Sequence, residues 1–323
     1  RPISIAPGWD EWVFWQEGLT RIPGVGRLDG NYFLGTKQDL RAMKLRPVSV
    51  GDGSGITAGG SVKLDLGGRE GTHVRTSLDG QTWSEWKRLR NAAPTATVPT
   101  EEGSHDVFVQ LKAAPGLKSP VVNATAIVDA TPPEISAPSV ALRSGPLGAT
   151  DGALPISVRW DALDATAGLS DATVRVACGA GNNVRTEAPG SAEPGERLSW
   201  EAQAHVLRDT TCDVTAISWD GAGNSNRAMA PAVTTSVVPA TESAVVSGSE
   251  VGVIARRGPE AGRTAVLLDG QAIGLVDLYA ETEEAPAVVF VADLPEGEHT
   301  ITVEPTDEST LSVEGFATLQ PAA

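Results

Sequence analysis

The feature that most restricts what this chain can fold into is an alternation of apolar and polar residues in short runs bounded by glycine or proline. Val62-Lys63-Leu64-Asp65-Leu66, Val107-Phe108-Val109-Gln110-Leu111 and Ile156-Ser157-Val158-Arg159-Trp160 each place an apolar side chain at every second position. A β-strand turns successive side chains to opposite faces, so such a run buries one face and wets the other. Thirty-five glycines and 22 prolines are spread between these runs, where they supply the corners that short strands need. The pattern predicts an all-β chain. Its buried surface lies between stacked sheets rather than around a catalytic cleft.

At roughly 100–150 residues per domain, 323 residues accommodate two to four modules. The phrase Val128-Asp129-Ala130-Thr131-Pro132-Pro133-Glu134-Ile135 marks one boundary. Adjacent prolines favour extended backbone and remove ladder donors, which suits a junction. Val237-Val238-Pro239-Ala240-Thr241 marks a second. The predicted organisation is an N-terminal arm over 1–43, Ig-like sandwiches over 44–130 and 131–240, and a C-terminal β-sandwich over 241–323.

The arm differs from the rest of the chain. Trp9, Trp12, Phe14 and Trp15 crowd together before the breaker Ile22-Pro23-Gly24-Val25-Gly26. Over so short a run, periodicity fits both a helix with Trp at every third position and a strand packed on two faces. Aromatic side chains left in water make good interface anchors. The arm is therefore expected either to fold onto the first sandwich or to dock into a neighbouring copy through these four residues.

Forty-one acidic residues against 25 basic ones give a formal charge of −16. A field of that sign repels phosphate backbones and anionic membranes, so nucleic acid is not an expected partner. No run approaches the ~18–20 apolar residues needed to cross a bilayer. The chain opens Arg1-Pro2-Ile3-Ser4, without the apolar stretch of a signal peptide, and a processed form is expected. The two cysteines, Cys178 and Cys212, each end or begin a strand-like run within one predicted module. A disulfide between them implies an oxidising compartment, extracellular or at the cell surface. The alternative is two buried thiols.

Several phrases resemble known repeat families. Val74-Arg75-Thr76-Ser77-Leu78-Asp79-Gly80-Gln81-Thr82-Trp83-Ser84-Glu85-Trp86 resembles a hairpin of bacterial Ig-like and fibronectin-like repeats, and is also close to the Asp-box turn of sialidases. Asp79-Gly80 is a preferred pair for a tight hairpin turn. The Asp129-to-Pro133 phrase resembles the linker that opens successive Ig-like repeats of large secreted bacterial proteins. Ala216-Ile217-Ser218-Trp219-Asp220-Gly221-Ala222-Gly223-Asn224 resembles a strand end of the same repeats. Val276-Asp277-Leu278-Tyr279 followed by Leu294-Pro295-Glu296-Gly297-Glu298-His299-Thr300 resembles a C-terminal β-sandwich module of secreted bacterial proteins. The resemblances imply tandem Ig-like sandwiches and carry no catalytic residues.

The residues suggest little chemistry. Gly51-Asp52-Gly53-Ser54-Gly55 lacks the nucleophile-elbow spacing and reads as a turn. His73, His105, His205 and His299 are scattered, with no zinc-ligand spacing. Asp161, Asp164, Asp171 and Asp220 offer hard oxygen ligands of the kind Ca2+ takes. The competing reading is solvated turn carboxylates. No other cofactor is expected. The last module has no tryptophan to serve as a sugar platform. The chain is thus expected to be a non-enzymatic subunit of a surface layer, filament or adhesive appendage, joined to copies of itself or to other surface proteins. Alternatives are a polysaccharide-binding tail of a secreted hydrolase and a phage tail or fibre component.

Overall fold

The computed structural model describes residues 14–22, 26–33, 47–51, 53–69, 71–89, 93–114, 117–179, 182–306, 308 and 310–321. The chain is all-β, and no helix occurs among the described residues. It divides into two compact units, Arg1–Ala130 and Thr131–Ala323.

Among its described residues the first unit holds eleven strands: β1 (Phe14–Ile22), β2 (Gly26–Phe33), β3 (Ser49–Val50), β4 (Ile56–Thr57), β5 (Gly60–Asp65), β6 (His73–Ser77), β7 (Lys87–Arg88), β8 (Thr95–Val98), β9 (Gly103–Ala114), β10 (Leu117–Lys118) and β11 (Val122–Val128). β1 and β2 form an antiparallel hairpin of their own. Phe14 and Trp15 open β1, so the aromatic run is strand from Phe14 onward, whereas Trp9 and Trp12 lie outside the described residues.

The rest of the unit is two sheets that share one core. One sheet runs β4-β11-β9-β6-β7, with β10 also on β9, and the other runs β3-β5-β8. Val62, Leu64, Ala96 and Val98 from the small sheet meet Val74, Val107, Val109, Leu111, Ala126 and Val128 from the large one in a single core. These are the alternate positions of the runs quoted above, which explains why the remaining residues of each strand face water.

The Asp79-Gly80 pair does not make the tight hairpin its dipeptide suggests. β6 stops at Ser77 and β7 starts at Lys87, leaving a loop over 78–86. Gly80 does adopt a left-handed φ of +70°. The same dipeptide does close a two-residue hairpin at Asp269-Gly270, where φ is +50° and +81°. The difference lies in the flanks. Residues 268 and 271 belong to strands that pair in register, whereas Leu78 and Gln81 have no such partners.

The second unit begins with β12 (Glu134–Ile135), β13 (Ser139–Leu142), β14 (Gly145–Pro146), β15 (Leu154–Leu163), β16 (Leu169–Cys178), β17 (Asn182–Ala188), β18 (Arg197–Val206), β19 (Thr211–Asp220), β20 (Ser225–Met229) and β21 (Val233–Val238). It continues with β22 (Ser243–Ser247), β23 (Glu250–Ala255), β24 (Arg263–Leu268), β25 (Gln271–Asp277), β26 (Ala287–Asp293), β27 (Glu298–Pro305) and β28 (Val313–Pro321). A nine-stranded sheet, β14-β26-β23-β28-β21-β19-β16-β17 with β20 on β19, passes through both the 131–240 and the 241–323 segments. The joint is the antiparallel pairing of β21 with β28, from Val233↔Pro321 to Val238↔Phe316.

Two smaller sheets complete the unit. One is built on β15, with β12, β13 and β18 as partners, and the other runs β22-β27-β24-β25. The central strands of the long sheet are buried on both faces. Ile254, Ala317 and Leu319 enter the core shared with β15 and β18, while Val251, Val253 and Phe316 enter the core under β24 and β27. Double burial is why Val251-Gly252-Val253-Ile254-Ala255 reads as continuously apolar rather than alternating. Glu250 ties the halves together. It is half-buried and accepts a hydrogen bond from Leu142 N at 2.5 Å. Burial, then the nearby Asp293 charge, pushes its carboxyl above the ordinary range against the opposing effect of that hydrogen bond.

Candidate functional site

In the first unit, the loop over 78–86 is organised by one carboxylate. Asp79 Oδ1 accepts from Thr82 N at 2.6 Å, Gln81 N at 2.7 Å and Ser77 Oγ at 2.8 Å. Ser77 Oγ in turn accepts from Gly80 N at 2.9 Å. The main-chain donors of Thr82 and Gln81 hold the Asp79 carboxyl well below the usual carboxylate range. A carboxylate gripped this way fixes the loop that presents Trp83 and Trp86.

Both indoles are only partly exposed, and they flank Arg75. The guanidinium carbon of Arg75 lies 4.4 Å from the Trp83 ring centre and 4.8 Å from that of Trp86, with Lys112 Nζ 5.9 Å from Trp86. Gln110 Oε1 orients the guanidinium by accepting from Nη2 at 2.6 Å and from Nε at 3.0 Å. The result is a ladder of alternating rings and cations on the outside of the six-stranded sheet, each rung stabilised by the ring quadrupole. A hollow of about 460 Å3 involves the same loop and is lined by Thr76, Ser77, Asp79, Thr82, Ser84 and Thr97, among others, with none of the ladder residues in its lining.

Because the Asp79 carboxyl is depressed, its contribution to stability is present above the ordinary aspartate pKa of about 3.9 and is lost as the pH falls below that value. Acidification, or Asp79→Ala at neutral pH, is therefore expected to release the loop. A red-shifted tryptophan emission and faster amide exchange confined to 76–86 are the expected readouts. Unchanged exchange in the Asp79→Ala variant would refute this role.

In the second unit, the disulfide is formed. Cys178 and Cys212 are directly opposed in register at one end of the β16–β19 pair, with Cα atoms 4.2 Å apart. At the other end of that pair lie two of the four predicted metal-ligand candidates. Asp164 and Asp220 are 4% and 1% exposed, and their carboxylate oxygens lie within 4.8 Å of one another. Each is committed to a turn. Asp164 Oδ1 accepts from Ala167 N at 2.6 Å and from Thr166 N and Gly168 N at 3.0 Å. Asp220 accepts from Asn224 N and from Asn224 Nδ2, both at 2.8 Å.

The other two candidates fall elsewhere. Alternation turns Asp161 to the outside of β15, where it accepts from its cross-strand partner Ser199 Oγ at 2.6 Å. Asp171 sits at a bulge in β16, exposed, and accepts from Ala172 N. Sequence spacing grouped Asp161, Asp164 and Asp171, whereas the fold brings Asp164 to Asp220 and leaves Asp161 and Asp171 apart from them.

The histidines take local roles. His299 Nδ1 pairs with Asp269 Oδ2 at 2.7 Å, so that each group's charged form is favoured, the imidazole pKa rising and the carboxyl falling. His73 contacts Thr72 Oγ1, His105 contacts Glu101 O and His205 contacts Pro146 O. In the glycine-rich turn, Ser54 Oγ accepts from Ile56 N. No helix among the described residues is long and apolar enough to cross a membrane.

No protein-family model matches the chain. No curated protein matches it either. Among solved structures, the secreted serine protease VesC from Vibrio cholerae aligns with 57% of this chain and 50% of that one, at 12% identity and a TM-score of 0.18. The alignment thus spans half of that protein, and at this score the likeness carries no argument.

Proposed function

We propose that the chain is a non-catalytic extracellular protein of Ig-like sandwiches, acting as a structural or adhesive subunit at a bacterial surface. The observation that carries this reading is how the fold uses its carboxylates. Asp79, Asp164 and Asp220 each accept two or more donors within turns, and Asp269 accepts from His299 and Thr300 on β27, which makes them struts of the scaffold. The Cys178–Cys212 bridge supports an oxidising, extracellular setting.

A subunit needs a surface through which copies or partners meet. Val245 and Leu275, 60% and 59% exposed, stand next to the buried Val246 and Val276, so alternation points them to the outside of the β22-β27-β24-β25 sheet. Apolar side chains on an open sheet face suit association. Light scattering over a concentration series tests this. Association is expected for the intact chain and should weaken in a Val245→Ser/Leu275→Ser variant or on removal of residues 1–43. A chain that stays monomeric at high concentration overturns the subunit reading.

A second reading, an accessory polysaccharide-binding role, is favoured by the partly exposed Trp83–Arg75–Trp86 ladder on the outside of the sheet. Sugar sites combine an aromatic platform with a few placed polar groups. Sequence reasoning sought such a platform in the last module, whereas these tryptophans stand on the first unit.

A further inference from the structure

The outer face of the six-stranded sheet carries a row of basic side chains that packing does not call for. Arg88 on β7, His73 on β6, Lys112 on β9 and Lys118 on β10 are successive cross-strand partners. Val74 and Leu111, which adjoin His73 and Lys112 along their strands, are buried, so alternation turns His73 and Lys112 outward. Arg88 and Lys118 are exposed.

Lys112 and Lys118 are directly opposed, about 5 Å apart at Cβ, and like charges in that relation destabilise the pair. Among the described residues, no carboxylate forms an ion pair with Arg88, Lys112 or Lys118. On the same face of β9, Asp106 is six residues from Lys112, about 20 Å along the strand, and there it meets Thr125 Oγ1. Glu85 is exposed in the loop between the two tryptophans. On a chain of net charge −16, the row is a local reversal of sign, and such a patch attracts a ligand of opposite charge.

The next row outward along the strands is the ring-and-cation ladder, and Lys112 belongs to both. A ligand that satisfies the two rows together needs regularly spaced anionic groups and flat faces that stack on indole. We propose that this surface binds an acidic polysaccharide, a uronate-bearing glycan laid across the strands. Its carboxylates pair with Arg88, Lys112 and Lys118, and a sugar ring packs against Trp86. Lys112 and Lys118 are one strand apart and Arg88 and Lys112 two, so the cations fall at intervals of about 4.8 Å and about 10 Å, comparable to one and two hexoses along an extended glycan. Single-stranded nucleic acid uses similar contacts, but its closely spaced phosphates meet stronger repulsion from the rest of an acidic chain.

The assignment rests on the polysaccharide-binding reading and narrows it to one ligand class and one face. The test is affinity electrophoresis of the intact chain through gels containing polygalacturonate, neutral galactan or no glycan, with a single-stranded oligonucleotide in a parallel titration. Polygalacturonate is expected to retard the chain, less so as salt rises. The Arg88→Gln/Lys112→Gln/Lys118→Gln variant should lose about tenfold or more in affinity, while its melting temperature stays level or rises. Equal retention of that variant, or tighter binding of the oligonucleotide, overturns the proposal. Equal retardation by galactan overturns the acidic class while leaving the polysaccharide reading intact. Retardation by neither glycan removes both.

Discussion

Replacing Trp160 by alanine is expected to destabilise the second unit by about 3–5 kcal/mol, the range for removing a buried aromatic side chain. Trp160 is 3% exposed on β15 and stacks on its cross-strand partner Trp200, with ring centres 6.2 Å apart and planes 12° from parallel. Its Nε1 donates to Ser218 Oγ on β19 at 3.1 Å, linking the two sheets through the core. The conservative changes separate packing from hydrogen bonding. Trp160→Phe keeps an aromatic ring but strands the buried Ser218 hydroxyl, a loss of about 1–3 kcal/mol. The buried Nε1 of Trp200 meets no acceptor among the described residues, so Trp200→Phe should be the milder of the two. Urea unfolding followed by far-UV circular dichroism measures both. Equal losses would show that the Ser218 bond contributes nothing.

Opening the Cys178–Cys212 bridge should be nearly as damaging. The bridge closes a sequence separation of 34 residues, for which the loss of unfolded-chain entropy stabilises the fold by about 3–4 kcal/mol. Both sulfurs are buried, so reduction also leaves two thiols inside the core. A Cys178→Ala/Cys212→Ala variant is expected to show a lower urea midpoint for the second unit and an unchanged one for the first. A midpoint that does not move would mean that the turns at the far end of β16 and β19 fix that pair of strands unaided.

Much of this was legible in the alternation of the sequence. Val62, Leu64, Val107, Val109, Ile156, Val158 and Trp160 are buried as their spacing requires, and the cysteines pair because each occupies the end of a strand. What escaped is non-local. No local pattern announces that β21 pairs with β28, a partner some eighty residues on, since period-two runs specify a face and leave the neighbour open. The candidate sites were missed for a related reason. Arg75, Trp83 and Trp86 looked like one stretch of hairpin, but the ladder also needs Gln110 and Lys112 from β9. Likewise, proximity in sequence joined Asp161 and Asp171 to Asp164, although Asp161 turns outward on β15, Asp171 sits at an exposed bulge of β16 and Asp164 is buried in the turn between those strands.

The position of β28 has a consequence for how the second unit comes into being. Residues 313–321 are the wedge between β21 and β23, so until they are in place each of those strands presents a bare edge to the other. A nascent segment ending at residue 312 would therefore hold two adhesive borders facing an empty slot. The joint between the 131–240 and 241–323 segments closes only when both flanking strands and β28 are present. The two segments share one sheet only once residues 313–321 enter between β21 and β23.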